Sequence, residues 1–163
     1  MLTGLVILGL DPGTTRIGYG IIKKTSNKLA VLDYGIIENS GKDKTLDYKN
    51  TFTKLSELIA KHSPILCGIE QLFFFKNQKT VINVSEMRGV LMYTLAHHGL
   101  AISEYTPLQV KQAVSSYGRA DKNQVQRMVR LILGINDEIK PDDAADGLAI
   151  AICCANNILN SIK

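Results

Sequence analysis

The first apolar run of this chain ends on an acid. Residues 5–10 read Leu-Val-Ile-Leu-Gly-Leu, which predicts a strand buried on both faces, as in parallel sheets. Asp11 follows directly, and Pro12-Gly13 then turns the chain. A carboxylate at such a strand end is costly to bury unless a metal ion, a hydrogen-bond donor or a ligand contacts it. The carboxyl edge of the sheet is therefore where we expect the chemistry of this chain.

Composition limits the class of protein. The 163 residues, 45% hydrophobic and 21% charged, fit one globular domain over residues 1–163. We find neither a stretch apolar enough to span a bilayer nor a secretion signal, so no membrane association is expected. Three cysteines, two of them adjacent, form neither a disulfide framework nor a zinc site. A cytoplasmic location is therefore expected.

Charge is distributed unevenly along the chain. The net charge is only +4, but residues 71–130 hold eight Lys or Arg against three Asp or Glu. Such an excess is typical of a surface that faces a polyanion. An ordinary solvated surface explains the same count, so charge alone does not decide between the two interpretations.

Apolar periodicity predicts a mixed α/β fold. The predicted strands are 5–10, 17–23, 29–37, 65–69 and 100–105, and the predicted helices are 46–62, 77–98, 108–116, one capped by Asp121, and one from Pro141 to Cys154. A polar loop is predicted over 41–47, and a hairpin joins the second and third strands. Right-handed crossovers place the fourth strand beside the first and parallel to it. We therefore predict a five-stranded mixed sheet, order 3-2-1-4-5, with strand 2 antiparallel and helices on both faces.

Four acids are predicted to meet at one edge of this sheet. Glu70 ends the fourth strand as Asp11 ends the first, and neighbouring strands lie about 4.8 Å apart. Asp143 and Asp146 share one face of the last helix near its N-terminus, which favours their ionised form. Oxygen ligands of this kind suit Mg²⁺ or Mn²⁺, and two such ions roughly 3.5–4 Å apart would hydrolyse a phosphodiester. Plain helix capping is the alternative for Asp142 and Asp143.

Aromatic and basic residues follow the second acidic strand end. The run Phe73-Phe74-Phe75, with Lys76 and Lys79 close behind, could unstack bases and hold phosphates. A core triplet is the alternative for the three phenylalanines. Lys111 and Lys122 are phosphate candidates, although an isolated lysine is usually just solvated. The apolar stripe of the helix 77–98 is broader than one core contact needs, which leaves part of it for a partner subunit.

Several motifs together resemble one known family. They are Leu8-Gly9-Leu10-Asp11-Pro12-Gly13, Gly18-Tyr19-Gly20, Ile69-Glu70-Gln71 with Phe73, Lys76-Asn77, Arg88-Gly89, Val110-Lys111-Gln112 and the run from Asp143 to Ala151. In this order and spacing they resemble RuvC, the bacterial Holliday-junction resolvase family. The resemblance runs from Val6 to about Ala155, which is nearly the whole chain.

The resemblance implies a ribonuclease-H-like fold and a homodimer that nicks four-way DNA junctions symmetrically with Mg²⁺, in concert with the RuvA–RuvB branch-migration machine. It implies that the metal-binding catalytic acids are Asp11, Glu70, Asp143 and Asp146. By the same likeness Phe73 enters the junction beside the cleaved strand, and Phe74 or Phe75 could share that role. Lys111 and Lys122 match basic residues near the cleaved phosphate, and the helix from Asn77 matches the dimer contact.

Parts of the sequence also fit two other functions. Asp11-Pro12-Gly13-Thr14-Thr15 also resembles the phosphate loop of actin-like ATPases and sugar kinases. Those proteins close two such domains on a nucleotide, and this chain has room for one. A non-catalytic module that binds junctions through the same basic surface is the second alternative, and the intact acids argue against it. Asp142 has no assignable role from the sequence.

Overall fold

In the described part of the chain, three strands are followed by a helix, a strand, a helix, a strand and three further helices. The structure, a computed structural model, describes residues 4–72, 78–115 and 118–158, with side chains throughout except at 78 and 79. The strands are β1 (Leu5–Asp11), β2 (Arg16–Thr25), β3 (Lys28–Glu38), β4 (Leu66–Glu70) and β5 (Ala101–Tyr105). The helices are α1 (Lys44–His62), α2 (Gln78–His97), α3 (Pro107–Ser115), α4 (Lys122–Leu133) and α5 (Asp142–Asn156).

The strands form one mixed sheet in the order β3-β2-β1-β4-β5. The central strand β1 pairs antiparallel with β2 and parallel with β4, and β5 continues the parallel half. Leu10 is paired with Ile69, so β1 and β4 reach the same edge of the sheet together. The predicted strand order and the antiparallel direction of β2 are confirmed, and the fold is ribonuclease-H-like.

Helices cover both faces of the sheet. One apolar core joins α1 and α2 to a face that includes Leu8, Leu10 and Ile69. The other core joins α3, α4 and α5 to the opposite face, which includes Ile7. Because β1 contributes to both cores, its nearly continuous apolar run was a sound indicator of a fully buried strand.

Glycines let α5 lie unusually close to β1 and β2. A Cβ added to Gly9, Gly18 or Gly20 would overlap the backbone of α5, and one added to Gly147 would lie 2.5–2.7 Å from backbone atoms of Tyr19. Real side chains do not pack that closely, so only glycine fits at these places. The contact between helix and sheet is therefore made backbone to backbone, and it fixes where α5 begins relative to the end of β1.

The first helix begins earlier than its apolar period predicts. The prediction of a loop over 41–47 was wrong in its second half, because α1 starts at Lys44. The Asp43 carboxylate accepts a hydrogen bond from the Leu46 N–H at 3.1 Å and caps the helix. Asp47 accepts hydrogen bonds from the Ser40 and Gly41 N–H groups, at 3.0 and 2.9 Å, and folds the preceding loop onto the helix.

Other element boundaries follow their sequence signals. Asp121 caps α4 in a reciprocal capping box with Gln124, as its position predicted. Gly99 has a positive φ of 72° and follows α2, which ends within one residue of the predicted boundary. Pro107 begins α3. Among the described helices, none combines the length and the apolar character needed to cross a membrane.

Candidate metal and DNA site

The two strand-end acids lie next to each other. Asp11 is the last residue of β1, and Glu70 is the last residue of the parallel neighbour β4. Both side chains are partly buried, and both line one cavity of about 270 Å³ at the carboxyl edge of the sheet. This acidic cavity is the place where the pattern of the strands predicted chemistry.

The last helix brings two further acids to the same edge. One carboxylate oxygen from each of Asp11, Asp143 and Asp146 lies within 4.8 Å of the other two, and we call these three residues the acidic cluster. Glu70 lines the acidic cavity with Asp11 and Asp146, without being one of these three. The structure thus brings all four predicted acids to one edge and groups three of them tightly.

Burial and mutual repulsion change the acidity of these groups. Burial, followed by the charges of Glu70, Asp146 and Asp143, raises the pKa of Asp11 to about 8. Burial and then Asp146 raise the pKa of Glu70 to about 7. Burial also raises the pKa of Asp146, against the opposing charge of Lys122. Ionisation of these neighbouring carboxylates is therefore unfavourable unless a cation neutralises their charge.

The predicted phosphate lysines both line the acidic cavity. Lys122 begins α4, and its amine lies 3.9 Å from a carboxylate oxygen of Asp146. Partial burial alone would lower the pKa of Lys122, but Asp146, Asp142 and Asp143 raise it, so its ammonium stays charged. Lys111, on α3, also lines this cavity, and its positive charge opposes the rise in the pKa of Glu70. The two lysines lie on α3 and α4, whereas the acids lie on β1, β4 and α5. Contacts between such distant parts of the chain cannot be predicted from short stretches of sequence.

Asp142 has a structural partner that the sequence did not indicate. Its carboxylate accepts a hydrogen bond from the Gln126 side-chain amide at 3.0 Å and lies 3.3 Å from the Lys122 amine. These contacts join the beginning of α5 to α4. Asp142 is not the N-cap of α5, because Pro141 holds that position and Asp142 lies in the first turn.

A buried asparagine holds the turn that follows Asp11. The Asn39 side chain is 8% exposed, and its amide donates to the Thr14 carbonyl at 3.1 Å and to the Thr51 hydroxyl at 2.9 Å. The Asn39 N–H donates to the Thr15 carbonyl at 2.8 Å. The turn is thus fixed from behind by α1 and β3. The role of Asn39 could not be recognised from the sequence, since a lone asparagine at a strand end carries no distinctive signal.

The predicted aromatic and basic segment falls outside the described part of the chain. Phe73, Phe74, Phe75 and Lys76 belong to the segment 73–77, and the side chain of Lys79 is likewise not described. Their predicted roles in DNA binding stay predictions.

The donor atoms of the acidic cluster fit a hard divalent cation. All three ligating groups are carboxylates, which Mg²⁺ and Mn²⁺ prefer, whereas zinc sites are built from His and Cys. The three cysteines are free and buried away from the cluster. The pKa values of Asp11 and Asp146 are raised, so ionisation of these groups is unfavourable without a cation. A bound cation would favour their ionised form.

Comparison with known proteins gives a consistent result. A family model described as "Crossover junction endodeoxyribonuclease RuvC" matches residues 7–154. The protein of that name from Halothermothrix orenii is 49% identical over 154 residues, which cover 94% of this chain and 93% of the relative. Its counterpart from Caldicellulosiruptor saccharolyticus is 48% identical over 149 residues and 90% of each chain.

A solved structure also matches over most of the chain. The structure of Thermus thermophilus RuvC in complex with a Holliday junction substrate aligns with a TM-score of 0.87 and 29% sequence identity. The match covers 93% of each chain. Similarity of sequence and similarity of fold therefore each extend over more than nine-tenths of the chain.

Proposed function

Because this chain belongs to the RuvC family of crossover junction endodeoxyribonucleases, we propose that it resolves Holliday junctions as a homodimer that nicks two opposed strands with Mg²⁺. It is an endonuclease that hydrolyses phosphodiester bonds in four-way DNA junctions, and it acts in recombination and repair. The observation that carries the proposal is the acidic cluster, whose carboxylate oxygens lie within 4.8 Å of one another.

The acids of the cavity would hold the metal. We assign Asp11, Glu70, Asp143 and Asp146 as its ligands and as the catalytic residues, since their carboxylates line one edge of the sheet. The chemistry that Mg²⁺ supplies when bound, as one or two ions, is activation of the attacking water and neutralisation of charge on the phosphate. The rigid sheet and α5 orient the four carboxylates before DNA arrives, which keeps the cost of reorganisation low.

The lysines and the aromatic segment would bind the DNA. Lys111 and Lys122 lie at the acidic cavity, where they can contact the phosphate that is cut. We assign Lys76 and Lys79 to neighbouring phosphates, and Phe73 or Phe74 to stacking with a base at the junction. The charge excess of residues 71–130 supports this assignment, because these four lysines all belong to it.

Cleavage of a synthetic four-way junction tests the proposed function. With Mg²⁺ we expect paired nicks on opposed strands, and with EDTA binding but no nicks. A linear duplex of the same sequence is the matched substrate control and should remain uncut. Failure to nick the junction with Mg²⁺ or Mn²⁺, or hydrolysis of ATP in its place, would contradict the proposal and favour the phosphate-loop alternative.

Substitution of Lys122 separates catalysis from binding. Because its amine lies beside Asp146 at the cavity, we expect Lys122→Ala to slow single-turnover cleavage by about 10²-fold, as for loss of one charge-stabilising donor. Junction affinity should fall only about 2–3-fold, since one of several phosphate contacts is lost. Lys54→Ala, on α1 at the other face of the sheet, is the control and should leave both quantities unchanged. An unaltered cleavage rate for Lys122→Ala would mean that Lys122 is an ordinary solvated lysine with no role in cleavage.

The homodimer would use an exposed face of α2. Tyr93 is 64% exposed, and its ring lies 6.4 Å from that of Phe52 on α1. A Cβ added to Gly89, one helical turn away, would meet nothing within 4 Å. Glycine inside a helix costs about 1 kcal/mol relative to alanine, and no described neighbour requires it here. Close approach by the α2 helix of a second copy would explain both the glycine and the exposed aromatic ring.

A charge on this face should separate the proposed dimer. We expect Tyr93→Asp to sediment as a monomer at concentrations where the unaltered chain sediments as a dimer, because the carboxylate would be buried without a partner. Junctions should then receive single nicks in place of paired ones. Leu131→Asp, at a 66% exposed position on α4, is the control and should remain dimeric. A Tyr93→Asp variant that stays dimeric would place the interface elsewhere.

The remaining partners and the location are proposed from the resemblance to the family. We propose that the resolvase acts with the RuvA–RuvB branch-migration complex in the cytoplasm. Its three cysteines are free and buried, which is compatible with a reducing compartment. Co-sedimentation with RuvA and RuvB on a synthetic junction would test this assembly, and independent binding without mutual effect would contradict it.

A further inference from the structure

An arginine on α2 reaches the end of the strand that carries Glu70. The Arg88 side chain is only 17% exposed, so its guanidinium lies largely between α2 and the sheet. Its Nε donates a hydrogen bond to the backbone carbonyl oxygen of Glu70 at 3.2 Å. Its Nη2 forms an ion pair with the carboxylate of Glu104 on β5. One side chain thus joins a helix to the ends of two adjacent strands.

Arg88 contacts the backbone of Glu70 at the point where β4 leaves the sheet. The parallel pairing of β4 with β1 ends at Ile69, one residue before the acid. On the other side, the Gln71 N–H donates to the Tyr105 carbonyl at 2.8 Å and closes the ladder with β5. The Glu70 carbonyl therefore lies where the chain leaves the sheet. The peptide group between Glu70 and Gln71 is thus held at its N–H by β5 and at its carbonyl by the Arg88 side chain.

We propose that Arg88 is a positioning residue that sets the direction of the Glu70 carboxylate into the acidic cavity. The inference rests on the proposed function, because it assigns Arg88 a role through a metal ligand. The planar guanidinium can donate to a carbonyl and pair with a carboxylate in fixed directions, and Glu104 holds it in that orientation. A lysine would keep the charge and lose this two-directional geometry. Groups that orient metal ligands in this way typically affect metal affinity or activity by about 10–100-fold.

Metal affinity of the free protein is the readout that a merely structural role would not change. We expect Arg88→Lys to weaken Mn²⁺ binding, measured calorimetrically without DNA, by about 10-fold. Single-turnover cleavage of a junction should slow by about 10–100-fold, while junction affinity in Ca²⁺ changes by less than about 2-fold. Glu104→Gln keeps an acceptor for Arg88 and should show a smaller loss in the same direction. Arg127→Lys, at an exposed position on α4, is the matched control and should show none.

A double-mutant cycle with Glu70→Gln decides whether Arg88 acts through Glu70. If it does, Arg88→Lys should cause no further loss of Mn²⁺ affinity or cleavage in the Glu70→Gln background. An equal further loss there, or unchanged Mn²⁺ affinity in the single variant, would overturn the inference. Circular dichroism and thermal unfolding identify a variant that has lost its fold, and Glu104→Gln then carries the test. If Glu70→Gln itself leaves metal binding and cleavage intact, the proposed role of Glu70 fails and the inference fails with it.

Discussion

The Asp11→Asn variant should bind four-way junctions as tightly as the unaltered chain and cut them at least about 10³-fold more slowly. Asp11 belongs to the acidic cluster, and the amide that replaces its carboxylate is a poor ligand for Mg²⁺. No phosphate contact is removed, so binding should persist. Gel-shift measurements in Ca²⁺ and single-turnover cleavage in Mg²⁺ check the two halves of this prediction. Equal losses of binding and cleavage would contradict the division of roles.

The same variant should be more stable than the unaltered chain when metal is absent. Folding raises the pKa of Asp11 from its ordinary 3.8 to about 8, so the native state disfavours the carboxylate. The stability contributed by a protonated Asp11 is therefore complete below pH 4 and is lost as the pH rises towards 8. Asparagine cannot ionise. We therefore expect the melting temperature of the Asp11→Asn variant in EDTA to exceed that of the unaltered chain by roughly 5 °C at pH 8.5 and by much less at pH 5.

Controls separate this effect from a general gain in stability. Asp137→Asn removes an exposed carboxylate in the segment between α4 and α5 and should change neither melting temperature nor cleavage. A stability difference for Asp11→Asn that is the same at both pH values would mean that ionisation of Asp11 is not its cause. Restored metal should reverse the order, since only the unaltered site gains stability from binding.

The second large effect is expected from a single methyl group at Gly18. This residue is paired with Asp11 on the adjacent strand, and an added Cβ would overlap the backbone carbonyl of Asp143 at the start of α5. Because this contact joins the backbone of β2 to the backbone of α5, no flexible side chain can move aside to make room for the methyl group. We expect Gly18→Ala to lower the free energy of unfolding by about 3 kcal/mol, with a fall of roughly 10 °C in melting temperature.

Gly18→Ala should also impair the site when the protein is folded. To accommodate the methyl group α5 must move away from the sheet, and Asp143 and Asp146 move with it. Mn²⁺ affinity measured well below the melting temperature should therefore fall by at least about 10-fold. Gly35→Ala is the control, since the three atoms nearest to its Cβ would belong to the far end of the Tyr19 side chain, at 3.1–3.3 Å. Unchanged metal affinity in a folded Gly18→Ala variant would show that the spacing of the acids does not depend on this contact.

Local sequence patterns predicted the sheet and the placement of its acids. Asp11 and Glu70 each follow an apolar run at the carboxyl end of a parallel strand, and right-handed crossovers then leave little choice of neighbour. The spacing of Asp143 and Asp146 put both on one helical face. These inferences succeeded because each depends on a short stretch of chain combined with a general rule of topology.

Contacts between distant elements could not be predicted in the same way. Lys122 pairs with Asp142 across two helices, and Asn39 holds a turn that lies 25 residues away along the chain. Neither residue belongs to a periodic pattern or a short motif with a fixed partner. The predicted start of α1 was wrong for a different reason. The first turn of this helix is specified by the Asp43 cap and not by apolar spacing.

The position of α5 in the chain has a consequence for synthesis of the protein. This helix carries Asp143 and Asp146, covers the β1–β2 part of the sheet, and is the last of the described elements to leave the ribosome. A nascent chain that ends before residue 142 holds only Asp11 and Glu70 of the four acids, on a sheet that lacks α5 over β1 and β2. Domains generally fold as units once their last elements emerge. A translation product that lacks α5 should therefore be unable to cut DNA, which delays nuclease activity until this helix has been synthesised.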